Sequence, residues 1–533
     1  KPDNVRVSYG TAGFRGNASG MEYVFFRMGM LAALRSKLKE AAIGVMVTAS
    51  HNPEHDNGVK LIDPQGEMLA QSWESLATAL ANVTNDQLIE QLKQIIDSQK
   101  IPLSNTSFIK FASVVGRANW PSSLSLSRAV LDGASAFGAT CHDHGLLTTP
   151  QLHYILACYN GGDIKVDEEH YYQNYASAFK ALLNVVSLCK LNPVTSPVTV
   201  DCANGVGAAK LTKLAERIGA NIIDIVVYND GQSGKLNENC GADYVKVQQR
   251  APAGLNMEPF HRYASFDGDA DRLIYYTLDS DCNFILLDGD KIAALFATYI
   301  RDNLKKASIN LRLGIIQTAY ANGNSTNFLI NQQNIEIACT PTGVKYLHEK
   351  ALTFDIGVYF EANGHGTITV NQECKNKISA AAFDPNKSAE ERFAAKKLKL
   401  FLDIINQTVG DAMCDLLAVE AILQDKNWSV KEWYRIYTEL PNRQAKVQVA
   451  DRRIIETGDA ERKVILPSML QPAIDELVRK YPSGRSFVRP SGTEDVVRVY
   501  AEANTQENAD DLAQQVSLAV YNIGGGVGKK PLF

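Results

Sequence analysis

Short apolar runs followed by polar turns recur along the chain, and helical stretches separate them. Residues 43–48, 198–200 and 313–317 have the apolar runs of buried strands, whereas residues 21–39 carry apolar positions at helical spacing without Pro. Strands that alternate with helices indicate βαβ units and mostly parallel sheets, whose ligands bind beyond the carboxyl ends of strands. The residues that directly follow each strand are therefore candidates for chemistry.

Composition excludes several classes of protein. The 533 residues carry a formal net charge of -5, which gives no electrostatic footprint for nucleic acid or an anionic membrane. No apolar run is long enough to span a bilayer. The nine cysteines are scattered without a C-x-x-C pair, which disfavours a disulfide framework or a zinc site and fits a reducing compartment, the cytoplasm.

The first candidate motif is the sequence TASHNP, directly after the predicted strand 43–48. Ser50 lies where a strand-to-loop junction exposes a hydroxyl, and Pro53 stiffens the loop. The same residue types form ordinary turns. A serine hydrolase is a competing hypothesis, but G-x-S-x-G is missing and the adjacent His51 is poorly placed to act as a base for Ser50.

The second motif, DGDADR, places Asp267, Asp269 and Asp271 at alternate positions after a short apolar run. Three such carboxylates converge when the loop curls around a cation, and their hard oxygens select Mg²⁺, Mn²⁺ or Ca²⁺. A solvated acidic turn is the weaker alternative, because like charges this close repel. A second acidic cluster at residues 279–283 is predicted to be a hairpin turn.

The third motif is EANGHGT, after the apolar run 358–360. Its glycines allow a tight turn, and Glu361, Asn363 and His365 present polar groups. Carboxylate and amide together suit sugar hydroxyls, which both donate and accept hydrogen bonds, and an amide also suits an N-acetyl group. A polar glycine turn without a ligand remains the alternative.

The fourth motif, RPSGTE, precedes a strand that contains Arg498. Successive backbone N–H groups at Ser491, Gly492 and Thr493 can form an anion-binding nest. Arg489 and Arg498 add bidentate phosphate contacts. The sequence thus predicts a local basic site in an acidic protein, with a surface turn and two solvated arginines as the alternative.

Together, TASHNP, DGDADR and RPSGTED in this order resemble the α-D-phosphohexomutase superfamily over nearly the whole chain. The resemblance implies an α/β fold of four domains around a central cleft, three of them related domains with mixed sheets and the last a smaller α+β domain. Each domain supplies one loop. The predicted domains are residues 1–159, 160–288, 289–425 and 426–533.

Two features resemble the branch that acts on N-acetylglucosamine phosphates: the sequence FEANGHGT, and TASHNP preceding residues 114–123 and 145–154. That branch interconverts N-acetylglucosamine 6-phosphate and 1-phosphate through a phosphoserine and a 1,6-bisphosphate, a step in UDP-N-acetylglucosamine biosynthesis. The resemblance implies a small-molecule sugar phosphate partner and a monomer or weak dimer. The alternatives are a phosphoglucomutase or phosphomannomutase, and a non-catalytic sugar-phosphate sensor.

The resemblance also implies roles for individual residues. Ser50 is the phosphorylated nucleophile, and its phosphate completes the shell of one Mg²⁺ with Asp267, Asp269 and Asp271. The sugar meets Glu361, Ala362, Asn363 and His365. The phosphate that does not react is held by Arg489, Pro490, Ser491, Gly492, Thr493 and Arg498. The reacting phosphate is lined by Arg15, His51, Lys60 and Arg272, with His51 or Lys60 as general base.

One segment departs from the family pattern. The family usually has Arg-Asp-Thr/Ser-Arg in the first domain, and this chain has Arg117-Ala118-Asn119-Trp120. The Asp and the second Arg are missing. Any domain contact or phosphate support that those two side chains provide in the family is therefore not predicted here.

Overall fold

A computed structural model describes residues 1, 5–10, 13–102, 112–163, 165–187, 196–491 and 495–531. The described chain forms four units, each built on its own main sheet. The eight cysteines in these ranges are free thiols, and no helix within them is long and apolar enough to cross a membrane.

The first unit holds five strands: β1 (Phe14–Asn17), β2 (Ile43–Val47), β3 (Asp56–Ile62), β4 (Ala112–Arg117) and β5 (Thr140–Leu146). Its helices are α1 (Glu22–Lys39), α2 (Gln71–Asn82), α3 (Leu88–Gln99), α4 (Ser123–Ser135) and α5 (Thr149–Asn160). The strand order is β1-β3-β2-β4-β5. All residues of β2 are buried, as expected for a strand covered on both faces.

Helix α1 confirms the predicted helix at 21–39, and it is buried around most of its circumference. It packs closely on α4, since a Cβ at Gly29 would lie 2.1 Å from the carbonyl oxygen of Val130. Reciprocally, a Cβ at Gly133 would lie 1.9 Å from the carbonyl oxygen of Phe26. The two glycines therefore set the distance between the helices.

The second unit contains α6 (Glu168–Ser187), β6 (Val198–Asp201), α7 (Gly207–Ile218), β7 (Ile225–Tyr228), α8 (Ala242–Gln248), β8 (Arg262–Phe266), β9 (Leu273–Leu278) and β10 (Phe284–Leu287). Its strand order is β10-β9-β8-β6-β7. Strands β9 and β10 form the predicted hairpin. Its turn is closed by Asp279, which accepts from Asp281 N at 2.8 Å and Asn283 N at 2.9 Å.

The third unit contains α9 (Gly289–Lys306), β11 (Leu313–Gln317), α10 (Gly323–Asn327) with a π-helical turn (Phe328–Gln332), β12 (Glu336–Cys339), α11 (Val344–Ala351), β13 (Ile356–Phe360), β14 (Gly366–Val370), α12 (Gln372–Ala381), α13 (Ala389–Ile404) and α14 (Ala412–Lys426). Its strand order is β12-β11-β13-β14. One continuous apolar core joins the second and third units.

The fourth unit contains α15 (Val430–Tyr434), β15 (Asn442–Gln448), a 3-10 turn (Arg452–Ile454), β16 (Glu456–Gly458), β17 (Lys463–Leu466), α16 (Leu470–Val478), β18 (Arg485–Pro490), β19 (Val496–Glu502) and α17 (Gln506–Ile523). Its antiparallel sheet has the order β15-β19-β18. The strands pack on α16 and α17 around their own apolar core, whereas Val430 and Trp433 of α15 belong to the core of the second and third units.

The first three sheets share one pattern. Strands β2, β8 and β13 each lie between a parallel neighbour and an antiparallel neighbour, and the antiparallel one follows directly in sequence. The sheets are thus mixed as the resemblance implies. Two of four strand pairings are parallel in each of the first two sheets and two of three in the third, so the expectation of mostly parallel sheets is confirmed only for the third. The loops after β2, β8 and β13 carry Ser50, Asp267 and Glu361, so equivalent strands point their carboxyl ends toward one site.

Candidate active site

Ser50 follows β2 and is fully buried. Its backbone is left-handed, with φ of 59°, a conformation that costs a non-glycine residue free energy. Hydrogen bonds hold it there: its N–H donates to Thr48 Oγ1 at 3.0 Å, and its Oγ donates to Asp267 Oδ2 at 2.7 Å. Backbone strain at a residue whose hydroxyl is held in place is typical of a functional loop.

The aspartates of the second motif converge. Oxygens of Asp267, Asp269 and Asp271 lie within 4.8 Å of one another, and all three residues are buried. Ala270 takes a left-handed φ of 58°, which lets the loop curl. Within the described residues, Asp269 Oδ1 makes no hydrogen bond. A buried carboxylate oxygen without a donor suits a hard divalent cation such as Mg²⁺.

Two cations also approach the trio. Lys60 Nζ lies 3.3 Å from Asp269 Oδ2 and 3.1 Å from Asp271 Oδ2. Arg272 Nε lies 3.6 Å from Asp267 Oδ2. These side chains offset part of the charge that three buried carboxylates concentrate in one place.

The surroundings drive the pKa values of two aspartates apart. Burial, Asp271 and Asp269 raise the pKa of Asp267 well above its ordinary value. Burial alone would also raise the pKa of Asp271, but Lys60 and His365 outweigh it and hold that pKa well below its ordinary value. A further positive charge between the oxygens of the three carboxylates would stabilise their ionised forms.

An electropositive pocket lies beside the trio. Arg272, burial and Arg15 lower the pKa of His51 to about 2, so its imidazole is neutral. Burial and Arg272 lower the pKa of Arg15. His51 Nδ1 and Arg15 Nε are buried and make no hydrogen bond within the described part of the chain. Unsatisfied donors and mutually repelling cations indicate a site for an anion.

The third motif forms a self-supported turn after β13. Asn363 Nδ2 donates to Glu361 Oε2 at 3.2 Å, and His365 N donates to Asn363 Oδ1 at 3.0 Å, with half-buried Ala362 in the same turn. His365 Nδ1 lies 3.2 Å from Asp271 Oδ1, so this turn meets the metal loop. Glu361, Asn363 and His365 are therefore held in place before any ligand arrives.

The fourth motif places two arginines side by side. Arg489 in β18 is the cross-strand partner of Arg498 in β19, and both line the same cavity. Like charges in this position destabilise a sheet unless an anion accompanies them. Pro490 ends β18, and Ser491 N donates to Val496 O at 2.9 Å. The predicted nest at Gly492 and Thr493 lies outside the described residues.

A cavity of about 300 Å³ brings the four motifs together. Its wall includes predicted site residues from every unit: Arg15, His51, Lys60, Asp271, Arg272, Glu361, Asn363, His365, Arg489 and Arg498. Ser50, Asp267 and Asp269 are completely buried next to this wall.

The segment that departs from the family pattern does make a contact between units. Trp120 Nε1 donates to Pro53 O at 3.3 Å, and a Cβ at Gly268 would lie 2.7 Å from the Trp120 ring. Asn119 Nδ2 donates to Asn204 O at 3.0 Å. The serine loop, the metal loop and the second unit thus meet at this segment.

Sequence reasoning missed two further residues. Asn237 Nδ2 donates to Ser50 O at 3.1 Å and to Asn52 O at 2.9 Å, although no motif surrounds it. Thr149 Oγ1 donates to Asp269 Oδ2 at 2.6 Å. Thr149 was detectable in part, because the preceding Thr148 begins a capping box of the type T-x-x-Q.

Comparisons with known proteins agree with this geometry. Family models match residues 16–87 (phosphoglucomutase/phosphomannomutase, alpha/beta/alpha domain I), 163–274 and 288–428 (phosphoacetylglucosamine mutase AMG1, domains II and III) and 405–519 (phosphoglucomutase/phosphomannomutase, C-terminal domain). The phosphoacetylglucosamine mutase of Mus musculus is 50% identical over 535 residues, covering 100% of this chain and 97% of the relative.

Solved structures give the same result. An N-acetylglucosamine-phosphate mutase in its substrate complex has a TM-score of 0.92 at 46% identity, covering 97% of this chain and 96% of that one. The Aspergillus fumigatus N-acetylphosphoglucosamine mutase in complex with GlcNAc-6P and magnesium has a TM-score of 0.91 at 44% identity, covering 98% and 97%. The chain therefore belongs to the phosphoacetylglucosamine mutase family of the α-D-phosphohexomutase superfamily.

Proposed function

We propose that this enzyme interconverts N-acetylglucosamine 6-phosphate and N-acetylglucosamine 1-phosphate, with Ser50 as the phosphoryl carrier and a sugar 1,6-bisphosphate as the intermediate. The observation that carries the proposal is the single cavity whose wall includes residues of all four motifs. One end offers a buried serine hydroxyl 2.7 Å from an aspartate trio, and the wall also holds paired arginines. A bisphosphorylated sugar needs a group that accepts one phosphoryl group and a basic site that holds the other phosphate. The paired Arg489 and Arg498 are called the clamp below.

Asp267, Asp269 and Asp271, together with a phosphate on Ser50, would hold one Mg²⁺. When bound, the ion would neutralise charge on the phosphoryl group and its leaving oxygen. Arg15 and Arg272 contribute fixed positive charge on the same side of the cavity. Phosphoryl transfer needs mainly such positioning and electrostatic stabilisation from a protein.

In the first half-reaction, the O1 hydroxyl of N-acetylglucosamine 6-phosphate attacks the phosphorus on Ser50. The O1–P bond forms, the Ser50 Oγ–P bond breaks, and a base takes the hydroxyl proton. His51 and Lys60 both line the cavity and are the candidates for that base. The bisphosphate then turns over, and its 6-phosphoryl group passes to Ser50 by the reverse chemistry, which leaves the 1-phosphate.

The remaining predicted residues hold the sugar in both orientations. Glu361, Asn363 and His365 present hydrogen-bonding groups to the hydroxyls and the acetamido group, next to Ala362. The distal phosphate is held by Arg489, Pro490, Ser491, Gly492, Thr493 and Arg498. We keep the four domains at 1–159, 160–288, 289–425 and 426–533, a cytoplasmic location, and a monomer or weak dimer as parts of the proposal.

The test is a substrate panel combined with mass spectrometry of Ser50. With Mg²⁺ and a catalytic amount of sugar bisphosphate, kcat/KM should be higher for N-acetylglucosamine 6-phosphate than for glucose 6-phosphate or mannose 6-phosphate. The peptide containing Ser50 should carry one phosphate. A preference for the unacetylated sugars would favour the phosphoglucomutase alternative, and no turnover of any sugar would favour the sensor.

A further inference from the structure

Glu461 lies in the turn between β16 and β17 of the fourth unit, outside all four motifs. Three consecutive residues there are left-handed: Asp459, Ala460 and Glu461 have φ of 51°, 54° and 67°. The left-handed conformation strains the backbone of a non-glycine residue, because its Cβ comes too close to the following carbonyl oxygen. A strained turn persists only where surrounding contacts compensate.

The Glu461 carboxylate provides such contacts, and both of its oxygens are used. Oε1 accepts from Arg489 Nε at 2.9 Å. Oε2 accepts from the Thr342 backbone N–H at 2.9 Å and from Thr342 Oγ1 at 2.6 Å. One carboxylate thus joins the fourth unit's phosphate-binding arginine to the third unit.

Both partners of Glu461 line the cavity. The guanidinium of Arg489 is planar, so a bond at Nε fixes the plane in which its other N–H groups lie. Thr342 lies just before α11, where Gly343 and Val344 also form the cavity wall. The contacts of Glu461 therefore set the orientation of the Arg489 guanidinium and the distance between the third and fourth units at the cavity.

A carboxylate beside a phosphate clamp would otherwise be unfavourable, because it repels a phosphate dianion. We propose that Glu461 is a positioning residue: it orients Arg489 and holds the fourth unit closed on Thr342 around the distal phosphate of the sugar. This inference rests on the proposed function, since the distal phosphate is what Arg489 holds. Glu461 acts through Arg489 and does not touch the substrate.

The test uses E461Q, which keeps the shape of the side chain but can no longer accept from Thr342 and Arg489 through two carboxylate oxygens. Because hydrogen bonds to a charged group are among the stronger ones, KM for N-acetylglucosamine 6-phosphate should rise roughly 10-fold, with a smaller change in kcat. E461D should recover part of the loss. The matched control is D459N, in the same strained turn and exposed, which should leave KM unchanged.

A double-mutant cycle of Glu461 and Thr342 distinguishes the positioning role of Glu461 from simple repulsion between its carboxylate and a phosphate. T342V removes one donor to Glu461 and should raise KM less than E461Q, and the two effects should not add, because they break one contact. A lower or unchanged KM in E461Q would overturn the proposal, since it would mean that the carboxylate only repels phosphate or does nothing. Thermal unfolding of each variant identifies a folding defect.

Calorimetry with inorganic phosphate distinguishes failure of this inference from failure of the proposed function. R489A should weaken phosphate binding, and E461Q should weaken it in the same direction. Weakened binding in E461Q, together with a wild-type enzyme that does not turn over N-acetylglucosamine 6-phosphate, would keep Glu461 as a positioning residue and reject the function. Unchanged phosphate binding in E461Q would reject the positioning role itself.

Discussion

The serine end and the clamp end of the cavity are built in different ways. At the serine end, Gly268 N donates to Ser50 O at 3.1 Å, and Asn237 and Asn119 add further bonds across the boundary between the first and second units. At the clamp end, Arg489 belongs to a sheet that packs mainly on its own apolar core, and a small cluster of Ala319, Phe487 and Tyr500 joins it to the third unit. The serine end is thus bonded directly to the neighbouring second unit, whereas the clamp end lies in a unit that packs mainly on itself.

The difference corresponds to two different physical requirements. Phosphoryl transfer loses rate steeply when reacting atoms move by about 1 Å, which favours a rigid serine end. A bisphosphate that turns over in the cavity needs room, which favours a clamp that opens and closes on polar contacts.

Replacing the nucleophile should have the largest effect. S50A keeps the backbone but removes the oxygen that carries the phosphoryl group, so turnover should fall by about 10⁴-fold or more. The measurement is kcat with N-acetylglucosamine 6-phosphate, Mg²⁺ and sugar bisphosphate. The control S72A removes an exposed hydroxyl from the same unit and should leave turnover unchanged. Substantial activity in S50A would remove Ser50 from its role.

Loosening the serine loop should have the next largest effect. N237G keeps a left-handed backbone, φ 57° in the native residue, but removes the amide that donates to the carbonyls of Ser50 and Asn52. We expect kcat to fall about 10–100-fold with little change in KM, because the serine is displaced while the clamp is intact. N239G is the matched control, since Asn239 is also left-handed, with φ of 55°, but exposed. Equal kcat in the two variants would contradict a rigid serine end.

The contrast between Asn237 and the aspartate trio shows what the sequence can predict. Asp267, Asp269 and Asp271 lie within one loop, so their spacing alone predicts that their oxygens converge, and they do. Asn237 reaches a residue 187 positions away, and no local pattern encodes that distance. Trp120 is visible in the sequence only as a departure from a family pattern, not as a contact.

The same distinction holds for the fold. Buried strands such as Leu313–Gln317 are apolar except for the final Gln317 and were predicted from that run. The mixed pairing was not predictable from strand–helix alternation, because the hairpin return of β3, β9 and β14 depends on tertiary packing. Predicted roles of single residues stay predictions, since proximity in one cavity does not assign a chemical step.

Removing the clamp should affect binding more than chemistry. R489A should raise KM about 10–100-fold with a smaller change in kcat, because Arg489 would hold the distal phosphate in ground state and transition state alike. Steady-state kinetics with N-acetylglucosamine 6-phosphate measures both constants. R453A removes the same charge from an exposed position of the fourth unit and should leave KM unchanged. An unchanged KM in R489A would remove this residue from the clamp.

The smallest expected effect concerns the connection into the clamp unit. Glu439, just before β15, is half-buried, and desolvation and Asp288 raise the pKa of its carboxyl from an ordinary 4.5 to about 7. Because the folded pKa lies above the unfolded one, the carboxyl imposes no cost below pH 4.5, and stability falls as the pH rises toward 7. E439Q removes this titration. At pH 8 the free energy of unfolding of E439Q should therefore exceed that of the wild type by up to about 3 kcal/mol, which raises its melting temperature by a few degrees. The difference should shrink toward pH 4.5, the ordinary pKa of the carboxyl.

The measurement is thermal unfolding of the wild type and of E439Q between pH 8 and pH 4.5, the ordinary pKa of the carboxyl. E476Q removes an exposed carboxyl of the same unit and should shift the melting temperature equally little at both ends of the range. A gain for E439Q that did not depend on pH would mean that packing, not ionisation, is responsible. A gain confined to high pH would show that the junction of the fourth unit retains an ionisable carboxyl at a cost in stability, because that carboxyl must ionise in a partly buried site beside Asp288.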